Sequence, residues 1–271
     1  MHNLFLRATS VTVGTTIALL LVAGLLHLIP RLGALGRRVG DALCRAPALD
    51  WVVMYFTLLP LIVGPAIAGW AGLAAAIIGQ VAAVLIWIQL HELAHRQAVR
   101  GPRIVKSLKR IVGPLRNHAA LWVTATVTPL FAMVRLAEIF CYPPLQWLVG
   151  LPPYKAGDWV NVSRQKFAGL VGHDLIWCLY CDWMTGIWSL GTEILRNVES
   201  FWCPIRFYSD KKCQNCALDF PDVADGWVAA DGTMADVAQI IEQMHGNGDH
   251  SWFGKRVQVT IGGNAVSSCG K

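Results

Sequence analysis

Charged residues are scarce in this sequence. Only 15% of its 271 residues are Asp, Glu, Lys or Arg, whereas 55% are hydrophobic. Soluble domains carry roughly 25% charged residues. Because so few charges cannot cover a globular surface in water, the composition argues against an ordinary soluble protein and favours one that is partly solvated by lipid.

The motifs of several common enzyme classes are also missing. The chain has no Walker loop, no Gly-rich dinucleotide fingerprint, no Gly-x-Ser-x-Gly nucleophile elbow and no Cys-x-x-Cys-His haem site. Its eight histidines are too few for the multi-His clusters of membrane desaturases. Nor is there a compact nucleic-acid-binding motif, so we expect no nucleic-acid partner.

The net charge of +6 is distributed unevenly along the chain. Residues 1–150 hold 13 Lys and Arg against 4 Asp and Glu (+9), and residues 151–271 hold 10 against 13 (−3). The basic charge therefore belongs to the more apolar half, where it indicates membrane topology. We predict two domains, a transmembrane helical domain over 1–150 and an extramembrane module over 151–271.

Long uncharged runs predict about four spans. No charged residue lies between Asp50 and His91, a stretch long enough for two helices joined at Gly69-Trp70-Ala71-Gly72. The first apolar run is longer than a signal-peptide core and lacks a good cleavage site, so it is expected to be a retained helix. The predicted spans are approximately 11–29, 51–69, 72–90 and 119–140.

The fourth span contains charges, Arg135 and Glu138, whose i, i+3 spacing allows them to pair. Two basic stretches, 31–45 and the acid-free 96–116, should lie on the cytoplasmic side of the cell (inner) membrane. Four spans then place the C-terminal module on the non-cytoplasmic side. Residues 167–190 are apolar enough for a fifth span, but their polar residues favour a helix at the interface or packed within the module.

Residues 151–271 predict a mixed module. Ser163 is expected to cap a helix from about residue 164 that Gly186 and Gly191 break or bend before it resumes over 192–200. Asp231 or Thr233 is expected to cap a helix over 235–244. Residues 257–261 alternate as a short strand. The predicted fold class is mainly α, a polytopic membrane helical bundle with a C-terminal Trp/Cys-rich mixed α+β extramembrane module.

The end of the third predicted span carries the sequence His91-Glu92-Leu93-Ala94-His95. On a helix, residues four apart share a face, so His91 and His95 can ligate one metal ion while Glu92 acts as general base on a metal-bound water.

This motif in this membrane position resembles the intramembrane zinc metalloproteases of the site-2 type. The resemblance covers five residues and implies a zinc ion and a further Asp ligand. The Asn-Pro-x-x-Pro-x-x-Asp-Gly type motif that supplies that ligand in the family is absent, and Asp174 in Gly172-His173-Asp174 is the nearest substitute. Two other interpretations stay open: polar residues at headgroup level, and a metal or cofactor site without proteolysis.

Six of the eight cysteines follow residue 177, and four of them form two Cys-x-x-Cys pairs. Paired elements of this kind can close a tetrahedral Zn or Fe thiolate site, whereas an extracytoplasmic module favours disulfides. Both alternatives, and unpaired thiols, remain open. The candidate ligands are Cys178, Cys181, Cys213 and Cys216, with Cys203 as a further one.

The leading functional hypothesis is a non-catalytic accessory subunit of a larger membrane complex, such as a redox or energy-transducing one. Its partners would be the lipid bilayer and other membrane subunits. The first alternative is a membrane zinc metallopeptidase with Glu92 as its base and His91, His95 and Asp174 as ligands. The second is a thiol- or metal-handling membrane protein that works through the Cys-x-x-Cys pairs.

Overall fold

The computed structural model describes residues 2–206, 208, 228–245, 260–261 and 264–265. These residues are mainly helical, as the composition predicts. The chain divides into two compact units, which we call unit 1 (Met1–Phe131 with Lys155–Ile187) and unit 2 (Ala132–Tyr154 with Trp188–Lys271).

The elements follow one another in this order, with short 3-10 turns at Ile29–Arg31 and Arg164–Lys166: α1 His2–Leu28, α2 Gly33–Leu43, α3 Ala48–Ala94, α4 Arg96–Arg100, α5 Ile104–Val112, α6 Pro114–Ala125, α7 Thr128–Phe140, α8 Tyr142–Val149, α9 Ala156–Trp159, α10 Gly172–Trp202, α11 Met234–His245, β1 Thr260–Ile261 and β2 Asn264–Ala265.

Within the described part of the chain, three helical stretches are long and apolar enough to cross a membrane, namely His2–Arg31, Ala48–Ala94 and Pro114–Val149. The second contains a break, because Ala68 and Gly69 leave helical geometry and Gly69 has a φ of 57°. A positive φ is inexpensive for glycine, which explains why the chain reverses here. The reversal lies one residue from the predicted Gly69-to-Gly72 turn, so α3 supplies two of the predicted spans as two arms.

The two arms of α3 run antiparallel, and α1 runs parallel to the second arm. Gln80 Nε2 in the second arm donates to the carbonyl oxygens of Phe56 and Thr57 in the first arm, at 2.8 Å each. Thr12 Oγ1 in α1 donates to Ala75 O in the second arm at 3.1 Å. Such side-chain to backbone bonds hold helices together where no water competes for the donor.

A loop and turn before α10 pack against the segment that joins α2 to α3. Ala46 N–H donates to Val160 O at 2.9 Å, and Val162 N–H donates to Cys44 O at 2.9 Å. Residues 160–162 therefore lie at the end of the bundle that carries both basic stretches. The sequence placed the C-terminal module on the non-cytoplasmic side, and its side of the membrane stays a prediction.

The neighbour of α10 in unit 1 is α6, and the two helices run in the same direction. The Trp122 and Trp177 rings meet edge to face with centroids 5.6 Å apart, and Tyr180 OH donates to Thr124 O at 2.8 Å. The start of α10 therefore lies at the same end of unit 1 as the start of α6.

The α10 helix is continuous over 31 residues and is not broken at Gly186 or Gly191. Gly186 instead permits close packing, because a Cβ there would collide with the Trp159 carbonyl oxygen. The predicted start near residue 164 is also wrong. Residues 164–166 form a 3-10 turn, and the Ser163 amide donates to Asp182 Oδ2 at 2.7 Å.

A mixed α+β module is not supported. Among described residues the only paired strands are the two-residue β1 and β2, antiparallel with Thr260 opposite Ala265, while residues 257–259 of the predicted strand lie outside the described residues. The helix predicted over 235–244 is confirmed as α11. Thr233 caps it, as its Oγ1 accepts the Asp236 amide at 3.4 Å and Asp236 Oδ2 accepts the Thr233 amide at 2.7 Å.

Candidate functional site

The HExxH residues lie at the C-terminal end of α3, where the helix ends at Ala94. The His91 and His95 rings stack with centroids 4.3 Å apart and planes 25° apart, so the two histidines share a helix face as predicted. His95 is the C-cap residue, and its Nδ1 donates to His91 O at 2.9 Å. The stacking continues from His91 to Trp87 and His27, at centroid distances of 4.8 and 5.2 Å.

The Nδ1 atom of His91 accepts a hydrogen bond from a distant segment of the chain. The Gly172 backbone N–H donates to His91 Nδ1 at 3.1 Å. An accepting Nδ1 carries no proton, so the neutral ring holds its proton on Nε2. A metal ion binds the lone pair of an unprotonated nitrogen, and the lone pair of His91 already accepts a hydrogen bond.

Glu92 is bound by a guanidinium group. Arg103 Nη2 lies 2.8 Å from Glu92 Oε1, and Arg103 Nε lies 3.1 Å from Asp174 Oδ2. The Arg103 side chain is only 5% exposed, and Nη2 also donates to Val171 O at 3.2 Å. Charge-assisted bonds of this length are the strong class of protein hydrogen bonds. Arg103 therefore supplies the cation shared by Glu92, the predicted base, and Asp174, the predicted metal ligand.

The carboxylates also bind backbone amides at the starts of two helices. Asp174 Oδ1 accepts the Val105 N–H at 3.0 Å in the first turn of α5. Glu92 Oε1 accepts the His173 N–H at 3.1 Å in the first turn of α10. First-turn amides lack partners within their own helix, and negative charge is favourable there. Glu92 of α3 thus caps the start of α10, and Asp174 of α10 caps the start of α5.

The environment keeps this network ionised. Burial by itself would raise the pKa of Asp174, but the nearby His173, Arg103 and the Val105 amide lower it below its ordinary value. Burial would likewise lower the pKa of Arg103, but its bonds to Glu92 and Asp174 raise it. We call Glu92, Arg103 and Asp174 the ion-pair network. It joins the end of α3 to the starts of α5 and α10.

The backbone at Gly172 is part of the same arrangement. Gly172 has a φ of 53°, and a Cβ there would overlap the Glu92 side chain. Gly169 has a similar φ of 83° but open space around the position of a Cβ. Comparing the two glycines separates backbone strain, which both positions share, from steric conflict with the ion-pair network, which only Gly172 has.

We therefore expect Gly172→Ala to destabilise the protein more than Gly169→Ala. Both substitutions carry the cost of a positive φ, on the order of 1 kcal/mol, and only the first displaces Glu92. Thermal unfolding in detergent, followed by intrinsic fluorescence, measures the difference. Equal losses of melting temperature would show that Gly172 does not support the network.

The structure brings Glu92 and Asp174 together on Arg103. His91 and His95 stack on each other beside this pair, and neither histidine belongs to the ion-pair network. In the described part of the chain, no group of three His, Cys, Asp or Glu side chains is arranged to hold a metal ion. Sequence reasoning missed Arg103. It is one of seven basic residues in 96–116, and nothing local distinguishes it from the others.

The described cysteines are free thiols, so no disulfide joins any two of them. Cys178 and Cys181 are one turn apart on α10, and burial raises the pKa of Cys178 although Arg164 opposes the effect. Cys203 follows the end of α10 and is exposed. Cys213 and Cys216 lie outside the described residues, so a shared Zn or Fe thiolate site stays a prediction.

Comparison with known proteins identifies no relative: no family model, no curated protein and no solved structure matches this chain. The interpretation of the site rests on its own geometry.

Proposed function

We propose that this protein is a non-catalytic integral membrane subunit of a larger membrane complex. The observation that carries the proposal is the position of Arg103, which binds both Glu92 and Asp174. The side chains that would make HExxH a hydrolytic centre are used to tie α3, α5 and α10 together. A general base must be free to take a proton from water, and a carboxylate bound to a buried guanidinium is poorly suited to that task.

The membrane assignment is supported by three apolar helices of sufficient length and by the charge pattern. The basic segments 31–45 and 96–116 follow the parallel helix ends at Leu28 and Ala94. By the positive-inside rule this end of the bundle faces the cytoplasm of the cell (inner) membrane. The segments that the ion-pair network joins, α5 and the start of α10, then lie on the cytoplasmic side and form a surface for companion subunits.

Large apolar side chains on this part of unit 1 support a partner. Leu115 is 81% exposed and Phe167 is 73% exposed. Residues of this kind at a membrane surface contact either lipid or another protein chain. Because the polar residues of this site serve structure, the exposed apolar side chains are suited to assembly with other membrane proteins. Redox and energy-transducing complexes are examples of such assemblies.

The test is purification of the tagged protein from its own membranes in a mild detergent. We expect a native mass above that of a monomer in its micelle, with companion polypeptides at fixed ratios to the chain. A Gly169→Ala variant serves as a control for companions lost during handling. Its added Cβ meets open space, so we expect it to keep the same companions as wild type. A monomer with no companion at constant ratio would contradict the proposal, as would hydrolysis of a membrane protein that Glu92→Gln abolishes without lowering the melting temperature.

A further inference from the structure

The helices of unit 2 bury their polar side chains. On α10, Glu193, Asn197 and Ser200 are nearly inaccessible, and Asn197 is only 1% exposed. On α7, Arg135 and Glu138 are buried together and form the predicted ion pair, with Nη1 2.7 Å from Oε2. The spacings of three and four residues put each set on one helix face.

The buried groups of α10 are connected to one another through Tyr154. Tyr154 OH donates to Glu193 Oε1 at 3.1 Å, and Asn197 Nδ2 donates to the same tyrosine oxygen. Asn197 Nδ2 also donates to Glu193 O at 3.0 Å. Tyr142 OH donates to Pro152 O at 2.8 Å beside them. The interior of unit 2 therefore contains a hydrogen-bonded polar cluster alongside buried apolar residues such as Leu151 and Leu190.

The opposite face of α10 exposes large apolar side chains beside a partly exposed Glu199, which pairs with Arg196. Trp188, Leu195 and Trp202 follow at intervals of seven residues, which is two helical turns, and they are 58%, 61% and 53% exposed. On α7 the residues that alternate with the buried ion pair, Met133 and Phe140, are also exposed. We call these five residues the outer apolar face.

A water-soluble domain shows the reverse arrangement, because burying charges and exposing tryptophans to water both cost free energy. In lipid the preference inverts, and polar side chains face the protein interior. We propose that the outer apolar face of unit 2 contacts the acyl chains of the bilayer. This corrects the expectation that the whole of 151–271 is extramembrane.

Two further observations favour lipid as the occupant. The outer face of α7 belongs to Pro114–Val149, a stretch long and apolar enough to cross a membrane, so the face continues an apolar surface of that kind. On α10 the two tryptophans are about 21 Å apart at 1.5 Å per residue. That is less than the hydrocarbon core of roughly 30 Å, so one of them can reach the headgroup level, where tryptophan is enriched.

Photocrosslinking in lipid nanodiscs tests the proposal on the full chain. In one variant benzoylphenylalanine replaces Leu195, and two further variants carry it at control positions. Mass spectrometry identifies the molecule to which each variant crosslinks. Ile62, exposed on the first arm of α3, provides the position expected to reach lipid, and the exposed Asp231 provides the position expected to face water. Because each replacement is on the surface, folding should be retained, and an unchanged melting temperature confirms it.

We expect a phospholipid adduct at position 195 in a yield that matches position 62, and none at position 231. An adduct to another residue of the same chain would show that a protein segment covers the face. An adduct to a second copy or another polypeptide would show a protein interface. Either result, or the absence of any adduct at 195, would overturn the assignment to lipid.

Discussion

Arg103→Met should destabilise the protein by about 3–5 kcal/mol, the range found when one partner of a buried ion pair is removed. The substitution leaves Glu92 and Asp174 without their shared cation, and Asp174 is almost fully buried. It also removes the bond to Val171 O that positions the start of α10. Methionine retains the apolar stem of arginine, so the loss reports on charge and hydrogen bonding more than on volume.

The loss should shrink as the pH falls. Wild-type Asp174 has a lowered pKa in the folded state, so its contribution is present above the pKa of the unfolded chain and disappears as the pH falls through the folded value. Without Arg103 the buried Asp174 carboxyl favours its protonated form, so folding takes up a proton. The variant should therefore recover stability between about pH 8 and about pH 5, while the contribution of Asp174 to wild type, whose carboxyl stays ionised over this range, should not change.

Thermal unfolding in detergent, read from the fluorescence of the 12 tryptophans, measures this at both pH values. Arg100→Met is the matched control, because Arg100 is exposed at the end of α4 and carries the same charge. We expect the control to stay close to wild type. A loss for Arg100→Met as large as that for Arg103→Met would mean that general basic charge matters, and not the ion-pair network.

Gly72→Leu should separate the two arms of α3. A Cβ at residue 72 would overlap the carbonyl oxygen of Gly64, and a Cβ at residue 64 would meet Gly72 in the same way. Backbone atoms cannot move aside as a side chain can, so the arms must part. Overpacking of this kind costs about 1–3 kcal/mol for a small addition, and leucine should exceed that range.

Gly14→Leu is the control, because Gly14 lies in α1 with open space around its Cβ position. Replacing a helical glycine by a good helix former is favourable by several tenths of a kcal/mol at such a site. We therefore expect the control to be neutral or stabilised and Gly72→Leu to show a lower melting temperature with less helix by circular dichroism. Equal stability of the two variants would contradict the close approach of the arms.

The sequence was most informative where a physical pattern is local. Forty uncharged residues after Asp50 and a glycine-containing turn predicted the two arms of α3. The i, i+3 spacing predicted the Arg135–Glu138 pair, which is confirmed, and Thr233 was one of two predicted helix caps, the other being Asp231. In each case the interacting residues are close in the chain, so helical geometry alone decides their distance.

Prediction failed where distant segments meet. Asp174 lies 71 residues from Arg103, and nothing in either neighbourhood reveals that they pair. Gly186 was expected to break a helix because glycine has low helical propensity, but its lack of a Cβ serves contact with Trp159. The contact of residues 160–162 with residues 44–46 was also missed, since charge bias orients spans but does not show which loops fold back onto the bundle.

The central claim is that Glu92 serves structure through Arg103, and a double-mutant cycle in thermal unfolding tests it most directly. The four proteins are wild type, Glu92→Gln, Arg103→Met and the double variant, each with and without a zinc chelator. We expect Glu92→Gln to lower stability, the double variant to lose less than the sum of the single losses, and the chelator to change nothing. Additive losses would contradict the account. So would a result in which the chelator destabilises wild type and the Glu92→Gln substitution leaves stability unchanged.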